Sequence, residues 1–207
     1  MNILRKIHFV RWLMFFLLTS GGMINCFAAT DDDPLYQIEI IVFSHVTEKG
    51  LKSEYWPSLP PLIPAPNTIE LSQEQMLPDS QWTLKSQEKL LKQNNYVILM
   101  HWAWQESASD LRKGQVIHLA GGDNYPNNLR PVDGAVAIQL DRFFSLHFDL
   151  RLSLPWADIK DYNLINLDRN NNDYVTFKID QRLRMRSNEL NYIDHPLFGI
   201  LVNVSPV

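Results

Sequence analysis

Between residues 132 and 154 nearly every second side chain is apolar. Val132, Val136, Ile138, Leu140, Phe144, Leu146, Phe148, Leu150, Leu152 and Leu154 share one parity. Alternate side chains of a strand face opposite sides, so the run predicts β-structure with one buried face. It exceeds the usual strand length, and Asp141-Arg142 brings no Gly, Pro or Asn to make a turn. The expectation is one long bent strand, or two strands meeting at a bulge. The same alternation returns near the C-terminus. Val175, Phe177, Ile179, Leu183 and Met185 fall on one face, and Lys178, Arg182, Arg184 and Arg186 on the other. Phe198, Ile200, Val202 and Val204 alternate again. Between these two strands lies a polar corner carrying Tyr192, Asp194, His195 and Pro196.

Residues 36–43 (YQIEIIVF) are almost continuously β-branched or aromatic, the pattern of a strand buried on both faces. Glu39 interrupts it. A buried carboxylate needs a cationic partner or a raised pKa, and a partnered structural glutamate is the simpler expectation than an acid–base role. Residues 44–79 read as loop, because Pro57, Pro60, Pro61, Pro64 and Pro66 exclude a helix interior or a central strand. Trp56 and Leu62 are expected to lie on the domain as a lid; an extended polyproline-like ligand for a partner is the alternative. Ser80 is placed to cap a helix to Asn94, with Leu84, Leu90 and Leu91 as its apolar face. Residues 96–104 (YVILMHWAW) predict a second buried strand, joined to the first by a crossover that is parallel and right-handed if both share a sheet. Residues 115–119 add a short strand, 121–126 a loop and 168–173 a polar turn. The sum is an α+β single domain: a mixed or mostly antiparallel β-sheet, one main helix and a Pro-rich loop.

The N-terminus changes the accounting. Arg5, Lys6 and Arg11 precede an apolar run from Trp12 to Leu18, and Cys26-Phe27-Ala28 puts small residues where a secretory signal peptide is cut. The run is short for a membrane span, although retention as an inner-membrane anchor is the alternative. Residues 1–28 are therefore expected to be a signal peptide, 29–35 an acidic leader and 36–207 the domain. Asn25 stands before Cys26 where a lipobox needs a small residue, which argues against lipidation. Cleavage removes three of 19 basic residues and the sole cysteine, taking the net charge from −4 to −7. The exported domain then has no disulfide and no thiol chemistry. Its acidity excludes the basic field that nucleic acid requires.

No motif announces a reaction. His45, His101, His118, His147 and His195 form no HxH or HExxH pattern, so neither a metal nor another cofactor is expected. Asp168-x-Asn170-x-Asn172 starts like a calcium loop, but Asp173 replaces the required Gly and Ile179 the required Glu. Ser86-x-x-Lys89 matches one penicillin-binding-protein motif without its companions SDN and KTG. Asp194-His195 is an acid–base neighbour pair, yet adjacent residues on extended backbone point apart, so Asp194, His195 and Pro196 are expected to form a structural corner.

The arginine row remains. As an ordinary strand face it would be solvated and partly neutralised by Asp149 and Asp180. As a binding surface, Arg182, Arg184 and Arg186 would read anions, since guanidinium forks match carboxylates. Cell-wall stem peptides carry free carboxylates, and Tyr192, Trp102 and Trp104 could stack on sugar.

Several blocks resemble the CsiV family of periplasmic peptidoglycan-binding proteins of Gammaproteobacteria. They are residues 36–43, Glu54-Tyr55-Trp56-Pro57, residues 98–105 (ILMHWAWQ), 134–150, 184–190 (RMRSNEL) and above all 192–199 (YIDHPLFG). Leu183 departs from the pattern where a second adjacent arginine is usual, and Asn191 and Ser145 where histidines are. The resemblance implies a periplasmic, non-catalytic protein that binds peptidoglycan and supports cell-wall synthesis and cell shape. It also implies an outer-membrane lipoprotein activator of a penicillin-binding protein as partner. A protein-interaction module without wall affinity and a wall hydrolase using Glu39, Asp194 or His195 are the competing readings.

Overall fold

Strand parity becomes two faces of two sheets. The computed structural model describes residues 33–60, 62–126, 129–168 and 173–207; the expected signal peptide at 1–28 and the turn residues 169–172 lie outside them. Strand β1 (Leu35–Ser44) is followed by the short helix α1 (Glu48–Leu51), strand β2 (Thr68–Ile69), a 3-10 turn (Asp79–Gln81) and helix α2 (Lys85–Gln93). Then come β3 (Val97–Ser107), α3 (Ala108–Lys113), β4 (Gln115–Gly121), β5 (Val132–Leu140) and β6 (Phe144–Pro155). The chain ends with α4 (Trp156–Ile159), β7 (Tyr174–Met185), β8 (Asn191–Ile193) and β9 (Phe198–Pro206). Asp33–Val207 forms one compact unit. No helix among the described residues is long and apolar enough to cross a membrane.

The strands make two sheets rather than the one expected, in the orders β3-β1-β9-β8 and β2-β4-β5-β6-β7. Ile38, Ile40 and Val42 of β1 join Trp104, Val202 and Val204 in one core with Val136, Phe148, Leu150 and Phe177 of the larger sheet. The opposite face of β1 offers Ile41 and Phe43 to Leu84 and Leu91 of the α2 region. Helix, four-stranded sheet and five-stranded sheet thus stack in three layers. This explains why β1 is buried on both faces.

Three expectations change. β1 and β3 are antiparallel neighbours, with Ile38 opposite Trp104 and Ile40 opposite Trp102, so no parallel crossover exists between them. The long alternating run is a hairpin: Leu140 pairs with Phe144 across a three-residue turn. An odd-length turn returns the chain in the same parity, which made two strands look like one. Helix α2 begins at Lys85 and not after Ser80, because the backbone amides of Thr83 and Leu84 are bound by the remote Glu39. Leu90 consequently faces water, at 58% exposure.

The Pro-rich stretch does lie on the domain. Trp56 is buried, its indole N–H donates to the Leu51 carbonyl at 2.8 Å, and its ring meets Phe177 edge-on at 5.1 Å. Arg151 on β6 donates to the Pro60 carbonyl, so this loop covers one part of the larger sheet's outer face.

Candidate functional site: an arginine and phenylalanine surface

Strand β7 is the edge of the five-stranded sheet, and its register sets what surrounds the arginines. Arg182 lies opposite His147, and Arg184 opposite Ser145. Next on β5 come Ala137 and Gln139, and Val116 on β4 lies beside Ala137. Small side chains in the middle rows leave a trough between taller basic ones. The trough holds about 630 Å³ and is lined by Lys113, Gln115, Ala137, His147, Arg182 and Arg184 among others. His147 Nε2 and Asp180 Oδ1 are 2.8 Å apart. That hydrogen bond, followed by the one from Lys178, holds the Asp180 carboxyl below its usual range. Asp180 is therefore occupied by His147 and Lys178.

The turn between β5 and β6 supplies the aromatic group that sequence reasoning missed. The Arg184 guanidinium carbon sits 4.1 Å from the centre of the Phe143 ring, and Arg142 and Arg186 each lie at 5.7 Å. Such stacking uses a guanidinium's flat face and leaves its N–H edge free. Beyond Phe143 a second cleft of about 460 Å³ is lined by Tyr36, Arg112, Asp141, Arg142 and Arg186. Among the described residues, Arg112, Arg142, Arg182, Arg184 and Arg186 make no salt bridge. Lys52, Lys92, Lys113 and Lys178 do. The one signal for Phe143 in the sequence was an aromatic beside Asp141-Arg142, where parity alone suggested unbroken strand.

The other expected aromatics stand elsewhere. Trp104 is 0% exposed in the core, which removes it as a contact residue. Trp102, on the same face of β3, is half-buried against that core. Tyr192 lies on β8 opposite Leu201, on the far side of the smaller sheet, stacked over Phe43 at 6.1 Å. Burial, then the Asp194 hydrogen bond, push its phenol pKa up, so it stays protonated and donates to Asp194 Oδ1 at 2.6 Å. The strip and Tyr192 occupy opposite outer faces and cannot grip one small ligand together.

The corner at Asp194, His195 and Pro196 joins β8 to β9. Asp194 is exposed and accepts from the Tyr192 hydroxyl. His195 is the packed member, with its ring 5.4 Å from Trp56 and 4.6 Å from Phe198, and its Nδ1 accepting from the Leu197 N–H. Burial, helped by the charge of His45, lowers its pKa to about 4, so it is neutral at pH 7. The Pro196 carbonyl sits where a side chain on Gly50 would have to go, at 2.3 Å from its Cβ position.

Glu39, the other acid–base candidate, has no lone pair to spare. It is 1% exposed and accepts from the Thr83 hydroxyl at 2.6 Å and from the Thr83 and Leu84 amides at 2.8 Å each; His101 Nε2 also lies at 2.8 Å. Burial pushes its pKa up, but these hydrogen bonds prevail and hold it at about 2. Among the described residues no cluster of three His, Cys, Asp or Glu side chains is arranged to hold a metal.

The chain belongs to the CsiV family. A family model described as "Peptidoglycan-binding protein, CsiV" matches residues 12–207. No curated protein and no solved structure matches the chain.

Proposed function

We propose that this CsiV-family protein binds peptidoglycan through the surface formed by Arg182, Arg184, Arg186, Arg142 and Phe143, and does so without catalysis. The carrying observation is that Arg142, Arg184 and Arg186 surround one ring and Arg182 lines the adjoining trough, none of the four in a salt bridge among the described residues, on a chain of net charge −4. On an acidic protein long-range attraction to an anionic polymer is absent, so binding must come from groups within about a Debye length, ~8 Å at physiological salt. The acid–base candidates support the non-catalytic reading. Glu39 is saturated, and Asp194 bonds to Tyr192 rather than to His195. The natural setting is the periplasm, reached by export on residues 1–28, where the protein supports cell-wall synthesis and cell shape. An outer-membrane lipoprotein activator of a penicillin-binding protein is the partner that fits this role.

The test is retention on purified sacculi, with chromatography of the sugar–peptide products. Wild type should be retained, release no fragments, and elute as salt rises. The triple variant Arg182→Gln, Arg184→Gln, Arg186→Gln should fold normally and lose most retention. Full retention of that variant would overturn the site assignment, and released fragments would overturn the non-catalytic reading.

A further inference from the structure

Phe143 lines the cleft that holds Arg112, Arg142 and Arg186, and Arg184, stacked on its ring, belongs to the other cleft, with Lys113 and Arg182. Among the described residues Asp141 is the one acidic side chain lining either cleft, against three guanidinium groups in its own cleft. Arg184 on β7 and Arg186, the first residue after it, are two positions apart, roughly 7 Å along extended chain, which is also the repeat of two residues in an extended peptide. Stacked on Phe143 at 4.1 and 5.7 Å, both present their N–H edges to solvent in a fixed geometry. The same stacking covers the Phe143 ring. Trp104 is buried and Tyr192 lies on the opposite outer face, while Tyr36 packs edge-on against Phe144 at 5.1 Å. Among the described residues the basic surface has no open aromatic platform of the kind that holds a sugar ring.

We infer that this surface recognises an extended peptide bearing two free carboxylates about two residues apart, one on each side of Phe143, and makes no specific contact with glycan. This rests on the peptidoglycan reading above and names the portion of the polymer that is bound. Each carboxylate takes a guanidinium fork, Arg184 with Arg182 in the first cleft and Arg186 with Arg142 in the second. Phe143 is a positioning residue, holding the forks apart at the peptide repeat.

The experiment is titration calorimetry of the folded protein with three probes, alongside sacculus retention. The probes are an N-acetylated tetrapeptide with free carboxylates on its second and fourth residues, the same peptide with both amidated, and a neutral N-acetylglucosamine oligomer. The free peptide should bind, amidation should weaken it about tenfold or more, and the sugar should give no heat. Phe143→Leu keeps apolar bulk, and should weaken the free peptide about tenfold with an unchanged melting temperature. Retention on sacculi without peptide binding, equal affinity for the amidated peptide, or binding of the sugar oligomer would each overturn the inference while leaving the peptidoglycan reading intact. Loss of both peptide binding and sacculus retention in wild type would overturn the two together.

Discussion

His101 Nε2 lies 2.8 Å from Glu39 Oε1, inside the protein, and its Nδ1 lies 2.8 Å from Glu88 Oε2 on helix α2. Both ring nitrogens face carboxylates. Trp82 closes the site from above, its ring centre 3.9 Å from that of His101. One imidazole thus ties β1, β3 and α2 together, and Glu39 also takes the amides that lead into the helix. Breaking a buried charge-assisted pair from one side strands its partner. Glu39→Gln should therefore cost about 3 kcal/mol in a denaturant melt at pH 7. A loss under about 1 kcal/mol would mean that the helix does not depend on this tie.

The pH profile of stability follows from three groups. Glu39 is held at about 2, below its ordinary 4.5, so its contribution is complete above pH 4.5 and disappears as pH falls towards 2. It amounts to about 3 kcal/mol. His195 is lowered from 6.5 to about 4 by burial, so the fold weakens as pH drops from 6.5 through 4 while the unfolded chain takes up the proton first. His118 acts in the other sense. Its hydrogen bond to Asp133 and, against burial, that to Glu70 raise it from 6.5 to about 9, so its contribution is full below 6.5 and lost as pH rises through 9. Stability should peak near pH 6.5. His118→Gln should flatten the alkaline limb alone, and an unaltered limb in that variant would show that other groups govern it.

Much of this was legible, and the gaps have physical causes. Burial on one parity from Val132 to Leu154 and the outward arginines of β7 came directly from alternation, because period two belongs to the backbone itself. Alternation does not say which sheet a strand joins, so the sandwich went unseen. It does not register an odd-length turn either, which hid the hairpin and with it Phe143. The true start of α2 depends on Glu39, 44 residues before Thr83, so no local capping pattern could reveal it. Trp102 and Trp104 looked like sugar platforms by residue type, but they share β3 parity with Met100 and so face the core. Parity also places Tyr192 and Asp194 on one side of the chain, close enough for the phenol to donate to the carboxylate.

The corner offers a graded prediction. Asp194 is exposed and loses one phenol hydrogen bond when truncated, so Asp194→Ala should cost under about 1 kcal/mol. His195→Ala removes a ring packed against Trp56 and Phe198 and should cost about 2 kcal/mol. Gly50→Ala should cost at least about as much, since the added Cβ meets the Pro196 carbonyl, a backbone atom that can yield only by moving the corner. Thermal melts of the three variants test the order; a larger loss for Asp194 than for His195 would reverse the assignment of which residue holds the turn.

Trp104 provides the sharpest separation of core from binding surface. Its ring is 0% exposed opposite Ile38, and its indole N–H is buried with no hydrogen-bond partner among the described residues. A buried donor left unpaired costs about 1–3 kcal/mol, so removing it offsets part of the cost of a smaller ring. Trp104→Phe should therefore shift stability by no more than about 1 kcal/mol. Trp104→Ala, with nothing to fill the space, should lose about 3–5 kcal/mol. If Trp104 served the ligand, both variants would lose sacculus retention per folded molecule, and the Phe variant would lose it despite its stability. Retention equal to wild type in Trp104→Phe, measured on protein shown to be folded by its melt, is the outcome that burial in the core requires. A marked drop there would put Trp104 in contact with the wall and demand that β3 open to expose it.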